Sequence, residues 1–109
     1  MAKDIIKGLE KLLIPVGQGW EITDVFIDNK KEAVEVVVSF TDAVYRVGKK
    51  KYPVYDYRPE RRWRHLDLWQ YKTYISSRIP RINTETGVES IAVPWANSHE
   101  RMSTLLEKK

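Results

Sequence analysis

The chain has no cysteine among its 109 residues. That absence excludes disulfides, thiolate metal sites and cysteine nucleophiles. Histidine is scarce, with only His65 and His99 present. A structural zinc, which normally takes four cysteine or histidine ligands, is therefore excluded too, and no metal or other cofactor is expected. No apolar run approaches the roughly 18 residues needed to span a bilayer. The opening Met1-Ala2-Lys3-Asp4 leads into a charged amphipathic stretch, not a signal peptide. A cytoplasmic location without membrane attachment is the expectation. Internal repeats and low-complexity linkers are also missing. What is present, 42% hydrophobic and 31% charged residues, is the composition of one soluble globular domain with a modest core.

Charge is modest in total and uneven in distribution. The net charge is +4. From Met1 to Tyr45 five lysines face eight acids, and from Ile82 onward three cations face four glutamates. Between them, from Arg46 to Arg81, eleven lysines and arginines face only Asp56, Glu60 and Asp67. A basic middle third between acidic flanks is what an electrostatic footprint for a polyanion looks like. The same run also fits an ordinary solvated surface of strands and turns.

Hydrophobic spacing divides the chain into parts. Ile5, Ile6, Leu9, Leu12 and Leu13 fall on one helical face, and Pro15, Gly17 and Gly19 end the pattern. A helix from about residue 2 or 3 to Leu13 is expected, docked on the hairpin that begins at Trp20. Trp20, Ile22, Val25 and Ile27 form a strand with an irregularity near Asp24. Asp28 to Lys31 turns, and Ala33 to Phe40 returns with Val34, Val36, Val38 and Phe40 toward the core. Next, Val44 to Val47 and Tyr52 to Tyr57 flank the turn Gly48-Lys49-Lys50-Lys51. Trp63 to Leu66 is a short strand and Asp67 to Gln70 a connection. Tyr71 to Ile82 is a long strand with an edge or bend at Pro80. Thr84 to Gly87 turns into a final strand, Val88 to Val93. From Ser98 the pattern becomes helical again, with Met102, Leu105 and Leu106, and stops at Lys109 after little more than two turns, which points to more protein beyond. The expected class is α+β within a single domain: helix plus hairpin over 1–43, a ribbon-like basic β-section over 44–96, and the start of a truncated helix over 97–109.

The strongest local feature is Tyr55-Asp56-Tyr57-Arg58-Pro59-Glu60-Arg61-Arg62-Trp63-Arg64-His65. Arginine can hold a phosphate through two hydrogen bonds or read guanine in the major groove, and neighbouring aromatics can brace it or stack on unpaired bases. In a strand, Arg62 and Arg64 share one face while Trp63 and His65 share the other.

The run Trp63-Arg64-His65-Leu66-Asp67-Leu68, with Tyr71-Lys72-Thr73-Tyr74-Ile75, Arg78-Ile79-Pro80-Arg81, Gly87-Val88 and Val93-Pro94-Trp95-Ala96, resembles the N-terminal region of bacterial insertion-sequence transposases of the ISL-three group. Tyr52 to Asp56 fits the same template, and Leu12 to Phe40 resembles that family's leader more loosely. The resemblance implies a domain that binds the terminal inverted repeats of a transposon and precedes a helix-turn-helix and a catalytic domain. The catalytic domain is missing here, so the chain is not expected to be an enzyme itself. Many relatives carry a zinc ribbon. Arg46 to Lys49 and Thr84 to Thr86 stand where its ligands would be, so the two hairpins must be held by packing, with Tyr45, Val54, Trp63 and Ile91 as candidate core.

The expected partner is double-stranded DNA at transposon ends. The expected contacts are Lys49, Lys50, Lys51, Arg58, Arg61, Arg62, Arg64, Lys72, Arg78 and Arg81. Most would hold phosphates, with Arg62 and Arg64 as candidate base readers. One rival is a module that joins transposase subunits through exposed aromatics such as Trp69, Tyr71 and Tyr74. Another is a small nuclease using Glu60, His65 and Asp67, although the histidine and aspartate also fit simple turn-holding hydrogen bonds.

Overall fold

The computed structural model describes residues 17–96 together with 102–103. Among the described residues the fold is all-β, not α+β. Its eight strands are β1 (Trp20–Asp28), β2 (Ala33–Phe40), β3 (Val44–Val47), β4 (Lys50–Tyr57), β5 (Arg61–Arg64), β6 (Lys72–Ser77), β7 (Pro80–Thr84) and β8 (Gly87–Ser90). The helix expected up to Leu13 lies outside the described residues. The helix expected from Ser98 is contradicted where it can be read. Met102 forms a parallel bridge to Arg64, and the Ser103 N–H donates to the Arg64 carbonyl at 2.7 Å. Two turns of helix are marginal on their own. Here Met102 and Ser103 instead lie along the edge of β5, and Ser103 is buried.

The strands form two four-stranded sheets, in the orders β1-β2-β6-β5 and β3-β4-β7-β8. The first mixes directions: β1 pairs antiparallel with β2, β2 parallel with β6, and β6 antiparallel with β5. The second is antiparallel throughout. The expected ribbon over 44–96 is therefore split between sheets, because β5 and β6 join the leading hairpin. The long strand expected from Tyr71 to Ile82 is divided for the same reason. Pro80 has no N–H to continue a ladder and restricts the residue before it. The chain leaves the first sheet after Ser77 and enters the second at Pro80.

Alternation in β2 is complete. Val34, Val36, Val38 and Phe40 are buried while Ala33, Glu35, Val37 and Ser39 face outward. The hydrophobic spacing in β1 slips by one, and the ladder shows why: the register shifts between Ile22 and Asp24, a bulge at Thr23. Gly19 is required at the entry to β1. Its φ is +96°, and a Cβ there would stand 2.6 Å from the Phe40 ring.

One aromatic stack closes the core. Trp95 meets Trp20 edge to face at 5.0 Å and Trp63 edge to face at 5.2 Å. Trp20 lies on β1 and Trp63 on β5, the two opposite edges of the first sheet. Trp95 comes after the last strand of the second sheet, so its ring carries that part of the chain across the inner face of the first. Neither the Trp63 nor the Trp95 Nε1 has a hydrogen-bond partner. The stack is held by packing alone. Ile82 and Ile91 join the same buried cluster, while Tyr45 and Val54 pack against its margin.

Trp95→Ala should cost about 3–5 kcal/mol, the usual range for removing a buried aromatic. Chemical denaturation should show this as a lower midpoint with an unchanged slope. A loss under about 1 kcal/mol would mean that the ring does not close the core.

Candidate nucleic-acid interface

Strand geometry sorts the basic residues into three places. The outer face of the first sheet carries Arg62 and Arg64 from β5 and Lys72 from β6, around Tyr74. The loops at the far end of this strand pair carry Arg58 and Arg78, with Arg61 at the first position of β5. Lys49, Lys50, Lys51 and Arg81 belong to the second sheet and its hairpin. Six of the ten expected contacts thus lie on or beside the β5–β6 pair, and four do not.

On the outer face, Arg62 reaches across β6. Its guanidinium lies 4.2 Å from the Tyr74 ring centroid, and its Nε is 3.1 Å from Glu35 on β2. This strap covers Ser76, which is fully buried although it faces outward. Beside it is a shallow depression of about 260 Å³, whose lining includes Phe26, Lys31, Glu35, Arg62 and Tyr74. Arg64 is more deeply committed. It donates to the carbonyls of His65 at 2.7 Å and Thr73 at 3.1 Å and pairs with Asp67. A guanidinium tied to two backbone oxygens and a carboxylate is part of the structure of the β5–β6 connection and has little left to offer a base.

Trp63 and His65 point inward, as strand alternation requires, and both are buried. His65 Nδ1 and Ser103 Oγ are hydrogen bonded at 2.5 Å, and the His65 N–H donates to the Thr73 carbonyl. Asp67 faces Arg64 instead. Glu60 precedes β5 and His65 comes just after it, so strand rise holds them more than about 13 Å apart. The three groups of the nuclease reading therefore do not converge. Among the described residues no group of three His, Asp or Glu side chains is placed to hold a metal ion.

At the far end of β5–β6, Arg58 and Arg78 are brought together by backbone geometry. The Arg58 N–H donates to the Ile79 carbonyl at 2.8 Å, and Arg78 Nε donates to the Arg58 carbonyl at 3.0 Å. Arg61 pairs with Ser77, next to Arg78, and its guanidinium lies 4.9 Å from the Trp63 ring. Neither Arg58 nor Arg78 forms an ion pair among the described residues. The chain crosses between its two sheets here, and the crossing is cationic.

The second sheet pairs Arg46, Lys50 and Arg81 with carboxylates. Arg81 makes a two-pronged pair with Asp56, its neighbour in the ladder, and lies over Tyr55. The Arg81 hydrogen bond holds the Asp56 carboxyl below its usual range, and Arg58 adds a smaller lowering. Lys50 pairs with Glu85 at 3.3 Å, and that hydrogen bond raises its ammonium above the ordinary value. Glu85 and Glu89 both line a second depression of about 360 Å³ on this side, which makes it a poor surface for a polyanion. Lys49 and Lys51 are exposed at the hairpin and form no ion pair among the described residues.

Local sequence did not reveal these neutralising partners. Glu35 and Glu85 come from the acidic flanks, and only strand register places them beside Arg62 and Lys50. Trp69, in what reads as a plain connection, is exposed at a turn and holds a positive φ of 56°. No sequence signal marks that conformation. Among the described residues, no helix is long and apolar enough to cross a membrane.

Asp56 has a lowered folded-state pKa, so its contribution to stability is present above the unfolded value of about 3.9 and is lost as pH falls through the folded value. Asp56→Asn should therefore flatten the acid limb of a Tm-against-pH curve below about pH 4 and leave its shape unchanged near neutrality. An acid limb identical to that of the parent would rule out the pairing as its cause.

No family model, curated protein or solved structure matches this chain, so its likeness to the insertion-sequence transposases rests on the quoted residues alone.

Proposed function

We propose that this chain is a nucleic-acid-binding domain whose contact surface is the β5–β6 pair, and that it serves as the DNA-binding N-terminal part of an insertion-sequence transposase acting at transposon ends. The observation that carries the binding reading is the cationic crossing, where Arg58 and Arg78 are bound through backbone atoms and keep their charge uncompensated by ion pairs among the described residues. Such groups suit phosphates. They fix position on a duplex without reading its sequence.

The contact set is smaller than the sequence implied. Arg58, Lys72 and Arg78 would hold phosphates along one track, with Arg62 between them, exposed and able to exchange Glu35 for a nucleic-acid acceptor, whereas Arg61 packs over the inward Trp63. Arg64, Arg81 and Lys50 are assigned to structure. Lys49 and Lys51 lie on the other sheet and are peripheral to this track.

One observation favours a second reading, a protein–protein module. β1 is an edge strand, and it exposes Ile22, Phe26 and Ile27. An apolar edge is a template for pairing with another chain. Of the aromatics expected to serve such a module, Tyr74 lies under arginines and Tyr71 is bonded to Asn29, which leaves Trp69 exposed.

Four neutralised phosphates correspond to a slope of about −3.6 in log affinity against log salt for duplex DNA. Arg58→Ala with Arg78→Ala should reduce that slope to about half, whereas Lys49→Ala with Lys51→Ala should leave it unchanged. Absence of binding at about 50 mM salt, or binding indifferent to salt, would defeat the reading. A dimer by light scattering that is broken by Phe26→Glu, in a chain that shifts no DNA, would establish the rival.

A further inference from the structure

We infer that Trp69 is a base-stacking tip, held in a strained turn so that its indole can receive an unpaired base of the bound nucleic acid. The inference deepens the nucleic-acid reading and rests on it. Leu68 and Tyr71 exchange both backbone hydrogen bonds, at 3.0 and 2.9 Å, and so close a two-residue hairpin turn over Trp69 and Gln70. Trp69 has φ of 56°, and Gln70 does not share the positive sign. A positive φ at the first central residue alone is the type II′ pattern, in which that position belongs to glycine. A bulky side chain there is a genuine outlier.

Packing does not compensate this strain. Trp69 is 59% exposed, makes no ring contact among the described residues and lies outside the buried cluster. Trp20, Trp63 and Trp95 are, by contrast, at most 4% exposed. Strain kept without folding benefit is a mark of function outside the fold.

The surroundings name the ligand. The Tyr71 hydroxyl donates to Asn29 Oδ1 at 2.7 Å, and the Lys72 N–H donates to the Glu32 carbonyl at 2.8 Å. These bonds tie the Trp69 turn to the β1–β2 turn, which carries Lys30 and Lys31. Of the two acids at that turn, Asp28 accepts the backbone N–H groups of Lys30 and Lys31, and Glu32 is exposed and forms no ion pair among the described residues. The tip therefore presents one indole among Lys30, Lys31 and Lys72, none of which forms an ion pair among the described residues. An exposed π-face flanked by ammonium groups fits a base with its neighbouring phosphates. It also stands at the end of β5–β6 opposite the cationic crossing, so a strand running along the track would reach it.

The full chain should be titrated with a duplex bearing a single-stranded thymine overhang and with the blunt duplex. Because the other tryptophans are buried, iodide quenching of the indole emission reports on Trp69. The overhang should protect Trp69 from iodide and bind more tightly than the blunt duplex. Trp69→Gly should remove that preference, a loss of about tenfold, while raising Tm by about 4 °C through relief of the turn. Trp69→Phe should keep most of the preference. Equal affinity for both duplexes, with Trp69 still open to iodide and the salt slope intact, would overturn the stacking role and spare the binding reading. Failure to bind either duplex would overturn both. Protection by anionic vesicles but not by the overhang would overturn the stacking role in favour of a membrane contact.

Discussion

The fold depends on three indoles meeting at right angles. Trp20 and Trp63 stand at opposite edges of one sheet, and Trp95 fills the space between them from the far end of the chain. Edge-to-face rings contribute about 0.5–1.5 kcal/mol per pair beyond the area they bury. The larger consequence is geometric. With Trp95 seated, residues 91–96 are held against β1 and β5, and the Ile91 N–H donates to the Pro80 carbonyl at the start of the second sheet's β7. A chain without cysteine has no disulfides to close its core, and here packed rings do so.

That packing decides which charges remain available. The parallel pairing of β2 with β6 lays Glu35 beside Tyr74, within reach of Arg62. The antiparallel pairing of β4 with β7 sets Asp56 against Arg81. The basic middle third is thereby thinned, and among the described residues Arg58 and Arg78 at the crossing, Lys72 on β6, and Lys30, Lys31, Lys49 and Lys51 at two turn tips form no ion pair. Exposed ion pairs of this kind add little to stability. Their greater effect is to confine positive potential to a narrower part of the surface than composition implies.

The β5–β6 pair also joins rigid and strained parts. Its interior is tied by Arg64, by the buried His65–Ser103 hydrogen bond and by the Met102 bridge. One end opens into the arginine crossing and the other into the Trp69 turn. A stiff ribbon can hold a turn residue in a conformation the residue would not choose, because relaxing it would break the Leu68–Tyr71 hydrogen bonds and disturb the start of β6.

Strand periodicity, the irregularity near Asp24, the turns at Gly48 and Gly87 and the inward set of β2 were all legible along the chain, because each is set by neighbours one to four residues apart. So was the opposition of Arg62 and Arg64 to Trp63 and His65, which is a property of any strand. Sheet membership was not legible. Nothing local distinguishes β5 and β6 as partners of β2 from β5 and β6 as continuations of the second hairpin. Met102 shares a helical spacing with Leu105 and Leu106, yet Met102 and Ser103 lie along the open edge of β5, a pairing that no local signal announces. The candidate site divides the same way: residue types, their density and the local Arg64–Asp67 pair belong to the sequence, whereas strand register determined that Arg62 meets Glu35 and Arg81 meets Asp56.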